Sequence, residues 1–346
     1  METEVLSIPT PVGHEHEILR AAERLRRGEL VVFPTETVYG IGGNATDAGA
    51  AKAIYAAKGR PSDNPLIIHV ASPEEAEPYA VTSECYYRLA RAFMPGPLTV
   101  ILPRKSTVPL SVTGGLETVA VRCPAHPVAN ALIAAAGVPI AAPSANRSGK
   151  PSPTCATHVI EDLDGRVSMI IDGGECEFGL ESTIVSLDGE DATLLRPGAI
   201  TYDELCQVCR RVTVAPAVLE ALSPDEKPLS PGMKYRHYAP SAPLTLVDGE
   251  RDAVLSLLLE RSRDKGVGIL CYEEDLPLFD ANTPLFSLGP RGDLNAQAKQ
   301  LFAALRQADT HPALTQLYAP LPPKDGLGLA LCNRILRAAA HNILKI

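Results

Sequence analysis

The sequence predicts an α/β fold with a mixed sheet, and two observations predict it. Between residues 14 and 200, segments with the helical spacing of apolar residues alternate with short apolar runs typical of strands. Several strand segments follow one another without a helix between them, which favours a mixed sheet over a purely parallel one. Residues 244–346 alternate in the same way and predict a second, smaller three-layer α/β domain.

Local signals bound the predicted helices of the first domain. The first helix spans residues 14–28 and ends at a glycine, and an Ala-rich helix spans residues 47–59. Ser72 and Glu75 form a capping box, which predicts another helix at that point. Two further helices are predicted over residues 127–137 and 201–211.

The predicted strands of the first domain are short apolar runs that end at polar loops. They span residues 29–33, 66–70, 98–103, 118–123, 139–146, 168–172, 182–187 and 193–197. The Gly-rich segment 34–44 is predicted to be a loop. In the second domain, strands are predicted over residues 244–248, 266–272, 284–288 and 314–320, and helices over residues 250–264 and 293–308 and from Leu327 onward.

A Pro-rich segment is predicted to link the two domains. The predicted boundaries are residues 1–212 for the first domain, 213–243 for the linker and 244–346 for the second domain. Within the linker, the stretch SPGMKYRHYAP concentrates basic and aromatic side chains. Two interpretations stay open: a solvated tether whose aromatic side chains dock on a domain surface, or a strap that reaches over a site.

Composition excludes several classes of protein. The chain has 346 residues, 45% of them hydrophobic and 21% charged, and this excludes a wholly disordered chain. With 32 basic and 41 acidic residues, the net charge of −9 argues against a large nucleic-acid-binding surface. The sequence shows neither a secretory signal nor an apolar segment long enough to span a membrane, so a cytoplasmic protein without membrane contact is predicted.

The eight cysteines do not predict a metal site. Only Cys206 and Cys209 have CxxC spacing, and no second pair or nearby histidine completes a zinc set. Free thiols, buried or half-buried, are therefore expected, and no side chain is assigned to a metal.

Polar side chains concentrate where the predicted strands and helices of the first domain end. The basic residues that stand out in this acidic chain are Lys58, Arg60, Arg122, Arg147 and Lys150. Basic residues gathered in one cleft suggest a small anionic ligand, such as a phosphate or a carboxylate, because arginine binds both in a bidentate manner. Neither a Walker loop nor a Rossmann phosphate-binding fingerprint is present.

Individual candidate residues also have purely structural interpretations. Lys58, near a helix C-terminus, would offset the helix dipole. Thr37 and His69 are also compatible with a turn hydroxyl and a core histidine. Arg196 is also compatible with an ordinary surface residue, and Glu36 and Glu181 are compatible with solvated loop acids.

Seven segments, taken together in this order and spacing, resemble the YrdC-like domain of the L-threonylcarbamoyladenylate synthases. They are PTETVYG, KGRPSDNPLIIH, PGPLTVIL, VAVRCPAHP, PSANRSGKPSPT, GLESTIV and LLRPGAI. The stretch SPGMKYRHYAP and the final segment GLGLALCNRILRAA resemble the longer, two-domain members of that family. The resemblance implies a YrdC-like twisted mixed sheet with a concave, positively charged face, followed by a smaller Rossmann-like α/β domain.

The resemblance also implies a reaction. L-threonine, bicarbonate and ATP, the last with Mg²⁺, would give threonylcarbamoyl-AMP and pyrophosphate. Downstream transfer proteins would then pass the threonylcarbamoyl group to an adenosine beside the anticodon of certain tRNAs. A weak contact of this chain with tRNA is compatible with that order of steps.

The resemblance further implies site residues, position by position. Threonine would contact Thr37, His69, Arg122, Ala142 and Ser182. ATP would contact Lys58, Arg60, Asn64, Thr118, Ser144, Ser152, Arg196 and Tyr235, the last from the linker, where Ser230 and His237 are possible substitutes. Lys58 and Arg60 would neutralise charge on the departing pyrophosphate.

Two other functions stay open at this point. One is an RNA-binding or ribosome-maturation module without catalysis, because a cationic concave sheet can hold duplex RNA, although the net charge disfavours it. The other is a carbamoyl-transfer maturation enzyme, because YrdC-like domains also occur in such proteins. Those proteins typically carry acylphosphatase and zinc-finger-like segments, which this sequence lacks.

Overall fold

The computed structural model describes residues 2–220 and 237–346. Its α-helices are Glu15–Arg26 (α1), Ala48–Lys58 (α2), Glu84–Phe93 (α3), Pro127–Ala136 (α4), Ala156–Leu163 (α5), Tyr202–Val208 (α6), Arg251–Arg261 (α7), Leu294–Asp309 (α8) and Gly328–Ala338 (α9). Its first strands are Glu4–Ser7 (β1), Val31–Phe33 (β2), Gly40–Asn44 (β3), Ile67–His69 (β4), Leu98–Pro103 (β5), Thr118–Arg122 (β6), Ile140–Ala141 (β7) and Met169–Asp172 (β8). The later strands are Thr183–Asp188 (β9), Asp191–Arg196 (β10), Arg211–Val214 (β11), Leu244–Asp248 (β12), Val267–Cys271 (β13), Leu285–Ser287 (β14), Gln316–Pro320 (β15) and Ile343–Lys345 (β16).

The described residues divide into two compact units. The first unit holds residues 2–148 and 152–218, and the second holds residues 149–151, 219–220 and 237–346. None of the described helices is both long enough and apolar enough to cross a membrane.

The first unit is built on a mixed sheet. Its strand order is β1-β8-β2-β3-β7-β4-β6-β5-β9-β10-β11. It contains both parallel pairs, such as β4 with β6, and antiparallel pairs, such as β5 with β6. The predicted α/β class and the predicted mixed sheet are therefore confirmed.

The second unit is built on a parallel sheet with the order β14-β13-β15-β12-β16, in which every neighbouring pair is parallel. The helices α7, α8 and α9 connect β12 to β13, β14 to β15 and β15 to β16, and a 3₁₀ helix, Glu273–Leu278, connects β13 to β14. Parallel strands need crossover connections of this kind. This arrangement agrees with the smaller Rossmann-like domain that the family resemblance implied.

The prediction of a loop over residues 34–44 is wrong in its second half, because Gly40–Asn44 forms β3. This strand runs between β2 and β7, where a Cβ atom on Gly42 would lie 2.7 Å from Phe33 and 2.8 Å from Ile140. Glycine is needed there because the side chains of Phe33 and Ile140 lie so close to the backbone of this strand that they leave no room for a Cβ atom. Its weak strand propensity conceals the element from a sequence-based prediction.

The helix predicted at the Ser72–Glu75 capping box is also wrong. A single 3₁₀ turn, Pro73–Ala76, follows Ser72, whose side chain makes no capping hydrogen bond. The helix of this region, α3, begins one segment later, where Ser83 Oγ accepts a hydrogen bond from the Tyr86 amide at 3.2 Å. The other elements that the sequence analysis missed are α5, β1, β11 and β16.

Two apolar clusters contribute to the interior of the first unit. The larger one packs α1 and α4 against β2, β7 and β8 and includes Leu25, Phe33, Leu132, Ile140 and Ile171, all buried. The smaller one lies on the strands from β4 to β10, and we call it the apolar floor; it consists of Ile67, Ile101, Ala120, Ile184 and Leu195. The candidate site lies around this floor.

Candidate active site

A row of polar side chains lies next to the apolar floor, on or directly beside the five adjacent strands that carry it. The register pairs His69 with Arg122 and Arg122 with Thr99, and it pairs Arg196 with Ile184, which lies two residues after Ser182. We call His69, Thr99, Arg122, Ser182 and Arg196 the polar row. Because side chains two residues apart share a face of a strand, His69 extends the face of Ile67, and Arg122 extends the face of Ala120.

Arg122 lies at the end of β6 and is 4% exposed. Its Nη2 donates to Glu36 Oε1 at 2.7 Å and, at 3.5 Å, to Thr35 Oγ1. Its Nε is buried and has no acceptor within the part of the chain that the structure describes. One edge of the guanidinium is thus fixed by an ion pair, and beside it remains a donor that no described residue engages.

Glu36 is the buried counter-charge that orients Arg122. It is 3% exposed, and its second oxygen, Oε2, accepts from the Ala125 amide at 3.2 Å. Its backbone carbonyl accepts from the Phe178 amide at 2.9 Å. The interpretation of Glu36 as a solvated loop acid is therefore wrong, since the residue lies inside the unit with both carboxylate oxygens engaged.

Thr37 is joined to Arg122 through Thr35. The two threonine hydroxyls lie 2.8 Å apart, and Thr35 Oγ1 also accepts from the backbone amides of Thr37 and Val38 at 3.2 Å. Both threonines are buried. The turn that follows β2 therefore holds its hydroxyl groups against the end of β6.

His69 ends β4 next to Arg122 and is 2% exposed. Its Nδ1 lies 3.3 Å from the carbonyl oxygen of Ile140, and its ring meets Phe33 edge to face at 6.4 Å between centroids. Burial and, second, the charge of Arg122 lower the pKa of His69 from 6.5 to about 3. The imidazole is therefore neutral at physiological pH.

Ser182 and Arg196 form the far end of the polar row. Arg196 is 6% exposed, so its interpretation as an ordinary surface residue is wrong. Its Nε donates to the Ser182 carbonyl at 3.0 Å and its Nη2 to Ser182 Oγ at 3.1 Å. Ser182 Oγ also lies 2.7 Å from Thr99 Oγ1, which links β5, β9 and β10.

Ser152 and Glu181 adjoin this end of the row. Ser152 Oγ donates to Glu181 Oε1 at 2.5 Å, and both side chains are buried. The interpretation of Glu181 as a solvated loop acid is therefore wrong as well. Since Glu181 directly precedes Ser182, this hydrogen bond ties the segment around Ser152 to the polar row.

A second group of predicted residues is centred on Lys58, the last residue of α2, and we call Lys58, Ser144 and Asn146 the Lys58 cluster. Lys58 is 3% exposed, and its Nζ donates to the carbonyl oxygens of Ser144 and Asn146 and, at 3.3 Å, to Asn146 Oδ1. Ser144 Oγ donates to Asn146 Oδ1 at 2.5 Å. The ammonium group therefore lies inside the loop that follows β7, where it does far more than offset a helix dipole.

Arg60 and Asn64 lie in the loop that leads from α2 to β4. Arg60 donates from Nη2 to the Pro65 carbonyl at 3.1 Å and from Nε to the Asn64 carbonyl at 3.4 Å. Asn64 is 2% exposed, and its Oδ1 is buried with no hydrogen-bond donor among the described residues. A buried amide oxygen without a donor is a site at which a ligand hydroxyl or amino group would gain a hydrogen bond.

Strand register relates the two groups. Ala142 donates its amide to the Ile67 carbonyl at 2.9 Å, and Ser144 forms an isolated bridge with Gly40. Because β7 is antiparallel to β4, Ser144 follows β7 toward the amino end of β4. Ile67 pairs with Ala120, so Thr118, two residues earlier in β6, lies toward the same end. Thr118 and Arg122 are four residues apart on one face of β6, roughly 13 Å at 3.3 Å per residue.

The structure thus arranges the predicted residues around one face of the sheet. At the carboxyl end of β4 and β6 it brings together Thr37, His69, Arg122, Ser152, Ser182 and Arg196. At their amino end it brings together Lys58, Arg60, Asn64, Thr118 and Ser144. Ala142 lies between them, opposite Ile67. Tyr235 and Ser230 fall outside the described residues, whereas His237 is described and belongs to the second unit.

The sequence analysis assigned no role to Thr35, Thr99 or Asn146, yet each bonds directly to a predicted residue. Thr35 and Asn146 stand within two residues of predicted positions, and this adjacency is the signal that could have found them. Thr99 gives no such signal, because only the pairing of β5 with β9 brings it to Ser182.

The described residues contain no group of three or more histidine, cysteine, aspartate or glutamate side chains placed to hold a metal ion. The side chains at the site therefore do not fit a resident metal bound by the protein alone.

Two known family models match the chain, one after the other. Residues 23–198 match the family model described as Telomere recombination, which covers Sua5, YciO and YrdC. Residues 200–340 match the model of the threonylcarbamoyl-AMP synthase C-terminal domain.

Individual relatives match over nearly the whole chain. Threonylcarbamoyl-AMP synthase of Bacillus subtilis is 45% identical over 335 residues, which cover 96% of this chain and 95% of the relative. The synthase of Pyrococcus abyssi is 46% identical over 338 residues, which cover 96% of each chain. The crystal structure of P. abyssi Sua5 complexed with L-threonine matches with a TM-score of 0.90 at 44% identity, covering all of both chains. On these grounds the chain belongs to the Sua5/YciO/YrdC family, among the threonylcarbamoyl-AMP synthases that carry the additional C-terminal domain.

Proposed function

We propose that this protein is an L-threonylcarbamoyladenylate synthase, which converts L-threonine, bicarbonate and ATP into threonylcarbamoyl-AMP and pyrophosphate. The observation that carries the proposal is the placement of the polar row and the Lys58 cluster at opposite ends of β4 and β6, with the apolar floor between them. L-threonine, which is a short zwitterion, and ATP, which is elongated, would both meet charged and hydrogen-bonding side chains along this face.

The carboxyl end of β4 and β6 has the features that a threonine site requires. The guanidinium of Arg122, held by Glu36 at 2.7 Å, would bind the threonine carboxylate. Neutral His69 and the hydroxyls of Thr37 and Ser182 would bind the amino and hydroxyl groups. Ala142 is small, so it would leave room for the threonine methyl group.

The amino end of the same strands suits ATP. Arg60 would supply charge for phosphate oxygens, and the buried Oδ1 of Asn64, which has no donor among the described residues, would accept a hydrogen bond from the nucleotide. Lys58 would act both through its charge and by shaping the loop of Ser144. Of the remaining predicted ATP contacts, Thr118 lies at this amino end, whereas Ser152 and Arg196 lie at the carboxyl end with Ser182. Tyr235, predicted from the linker, falls outside the described residues.

The proposed reaction requires the protein to position its substrates and does not require a protein nucleophile. The threonine amine adds to the carbon of bicarbonate, and loss of water gives a carbamate. A carbamate oxygen then attacks the α-phosphorus of ATP, an O–P bond forms, and the bond to pyrophosphate breaks. The carbamate is already anionic, so the protein's tasks are to align the two anions and to neutralise the leaving group, for which Lys58 and Arg60 are the candidates.

Mg²⁺ belongs to this proposal as a companion of ATP. It would be bound by the phosphate oxygens of the nucleotide, where it supplies charge neutralisation. The product would pass to downstream proteins that transfer the threonylcarbamoyl group to tRNA, and any contact of this chain with tRNA itself would be weak.

The test is pyrophosphate release from ATP by the full-length protein. We expect release only when L-threonine and bicarbonate are both present. Arg122→Ala should abolish it, whereas Arg88→Ala, which removes a partly exposed ion pair with Glu190, should retain it. Equal release with L-serine or without an amino acid would contradict the proposal, as would an unchanged threonine KM in Arg122→Ala. ATP-independent RNA binding with a steep salt dependence would favour the RNA-binding alternative instead.

A further inference from the structure

The second unit contains a cavity of about 310 Å³ that no step of the proposed reaction uses. It lies where ligands bind in open α/β sheets, beyond the carboxyl ends of parallel strands. The end of β12 contributes Val247 and Asp248, and the end of β15 contributes Pro320 and Leu321. The volume is at the small end of the range for ligand pockets, which suits a ligand of amino-acid size.

The topology of the sheet marks this position as its switch point. The chain leaves β12 through α7 and crosses β15 to reach β13. It leaves β15 through α9 and crosses β12 to reach β16, in the opposite direction. Neighbouring strands whose connections leave in opposite directions open a crevice between them, and the cavity occupies that crevice.

One wall of the cavity holds a positioned arginine. Arg291 Nη2 lies 2.5 Å from both carboxylate oxygens of Asp275, and its guanidinium carbon lies 4.7 Å from the centre of the Tyr272 ring. Its backbone amide donates to the Glu274 carboxylate at 3.0 Å. Arg291 Nε is buried without an acceptor among the described residues, while the side chain as a whole is 30% exposed. The arginine is therefore fixed in place with donor capacity left over.

Charges of both signs line the same cavity. Asp275 holds Arg291 in place through their ion pair, and the other charged residues that line the cavity are Asp248 and Arg251. A ligand with an anionic and a cationic group would satisfy Arg291 and Asp248 together. The aliphatic residues that line the cavity include Val254, Leu255 and Leu258 of α7 and Leu294 of α8.

A phosphate-bearing ligand suits this crevice poorly. The turn after β12 has acidic residues on both sides of Gly249, namely Asp248 and Glu250, and these repel phosphate. A Cβ atom on Gly249 would lie 2.8 Å from the carbonyl oxygen of Ile346, so the C-terminal backbone fills the space where a pyrophosphate would approach a glycine.

We propose that the second unit binds a free aliphatic α-amino acid in the crevice between the ends of β12 and β15. Arg291 binds its carboxylate, Asp248 binds its ammonium group, and the leucines and valine of α7 contact its side chain. This site lies wholly within the second unit and is separate from the proposed threonine site. Its occupant would give this unit a means of sensing an amino acid.

The experiment is calorimetric titration of the full-length protein with L-leucine in the presence of saturating L-threonine, which fills the proposed threonine site. We expect saturable binding of one L-leucine. L-leucinamide, which lacks the carboxylate, and 4-methylpentanoate, which lacks the ammonium group, should each bind at least about tenfold more weakly, a difference of roughly 1.4 kcal/mol.

Variants locate the binding. Arg291→Ala should weaken it at least about tenfold, but that change leaves the buried Asp275 unpaired and can unfold the unit. Leu255→Trp therefore provides the second variant, because it fills the cavity without touching the ion pair, and it should abolish binding with little change in the unfolding midpoint. Arg263→Ala, an exposed residue of the same unit that does not line this cavity, should bind L-leucine as the parent protein does.

Several outcomes overturn the proposal. They are the absence of saturable binding with L-leucine, L-isoleucine and L-valine, binding that Leu255→Trp leaves unchanged, and equal affinity for the two half-analogues. Displacement of bound L-leucine by AMP would also overturn it, because the crevice would then accept a nucleotide.

Discussion

Arg122 and Glu36 form an ion pair of 2.7 Å inside the first unit, with side chains 5% and 3% exposed. The carboxylate engages Nη2 and the Ala125 amide, so it fixes the guanidinium on one side only. Nε remains without an acceptor among the described residues. The pair thus holds a cation in a fixed direction at the point where the proposed threonine carboxylate binds.

Replacing Glu36 should therefore affect both stability and substrate affinity. In Glu36→Gln the buried Arg122 loses its counter-charge, and removing one partner of a buried pair typically costs about 3 kcal/mol of unfolding free energy. The threonine KM should also rise, because the guanidinium is no longer oriented. Urea denaturation and threonine-dependent pyrophosphate release measure the two effects.

A matched control is the Arg104–Glu117 pair, at 2.8 Å, in which Glu117 is 78% exposed. Glu117→Gln should change the unfolding free energy by less than about 1 kcal/mol and leave the threonine KM unchanged. If Glu36→Gln behaved like this control, Glu36 would not position Arg122.

The buried His69 predicts a particular dependence of stability on pH. Its pKa is lowered to about 3, first by burial and then by Arg122, so in the folded state it stays neutral where the unfolded chain is protonated. Between pH 6.5 and about 3 the unfolded state binds one more proton at this site. The unfolding free energy should therefore fall with decreasing pH, by about 1.4 kcal/mol per pH unit from His69 alone.

The variant His69→Gln tests this dependence because glutamine does not titrate. Its unfolding free energy, measured by urea denaturation from pH 6.5 to 4, should fall less steeply by the equivalent of one proton. His16→Gln, which alters an exposed histidine of α1, should keep the parent slope. A parental slope in His69→Gln would mean that the imidazole is protonated in the folded protein.

Gly198 sets the distance between Arg196 and Ser182. A Cβ atom at this position would lie 2.5 Å from the Thr183 amide nitrogen and 2.8 Å from the Glu181 carbonyl oxygen. Gly198→Ala must therefore push the two segments apart, and overpacking of this kind typically costs about 2 kcal/mol. The hydrogen bonds from Arg196 to Ser182 should lengthen, so turnover should fall further than stability explains.

Thermal unfolding and steady-state kinetics measured side by side test Gly198→Ala. The control is Gly292→Ala, where a Cβ atom would meet nothing within 4 Å and which should unfold at the parent temperature. A Gly198→Ala variant with the parent midpoint and parent turnover would show that the close approach is unimportant.

The sequence predicted the fold class and marked charged candidate residues because both leave local signals. Apolar periodicity marked the buried strands, and loop cations such as Arg60 and Arg122 stand out in an acidic chain. The helix α2 was predicted because Asp47 caps it and Gly59 ends it in the left-handed conformation.

Other features depend on contacts between distant segments and leave no local signal. The strand β3 is rich in glycine because the side chains of Phe33 and Ile140 lie against its backbone at Gly42. Only the folded sheet shows this contact. Glu36 looks like a solvated loop acid until β6 brings Arg122 to it. The contact of Thr99 with Ser182 likewise depends on the β5–β9 pairing across 83 positions of sequence.

Lys58 combines a structural and a catalytic prediction in one side chain. Its ammonium group donates to two carbonyl oxygens and to Asn146 Oδ1 in the loop that carries Ser144. Lys58→Met keeps most of the length of the side chain but leaves those acceptors without their donor, which should lower the unfolding free energy by about 2 kcal/mol. Because the loop then relaxes, the ATP KM should rise at least about tenfold, while the threonine KM changes little.

Lys52→Met, at an exposed position of the same helix, controls for the loss of a positive charge and should leave the unfolding free energy and both KM values unchanged. An equal rise of both KM values in Lys58→Met would place Lys58 outside the ATP half of the site.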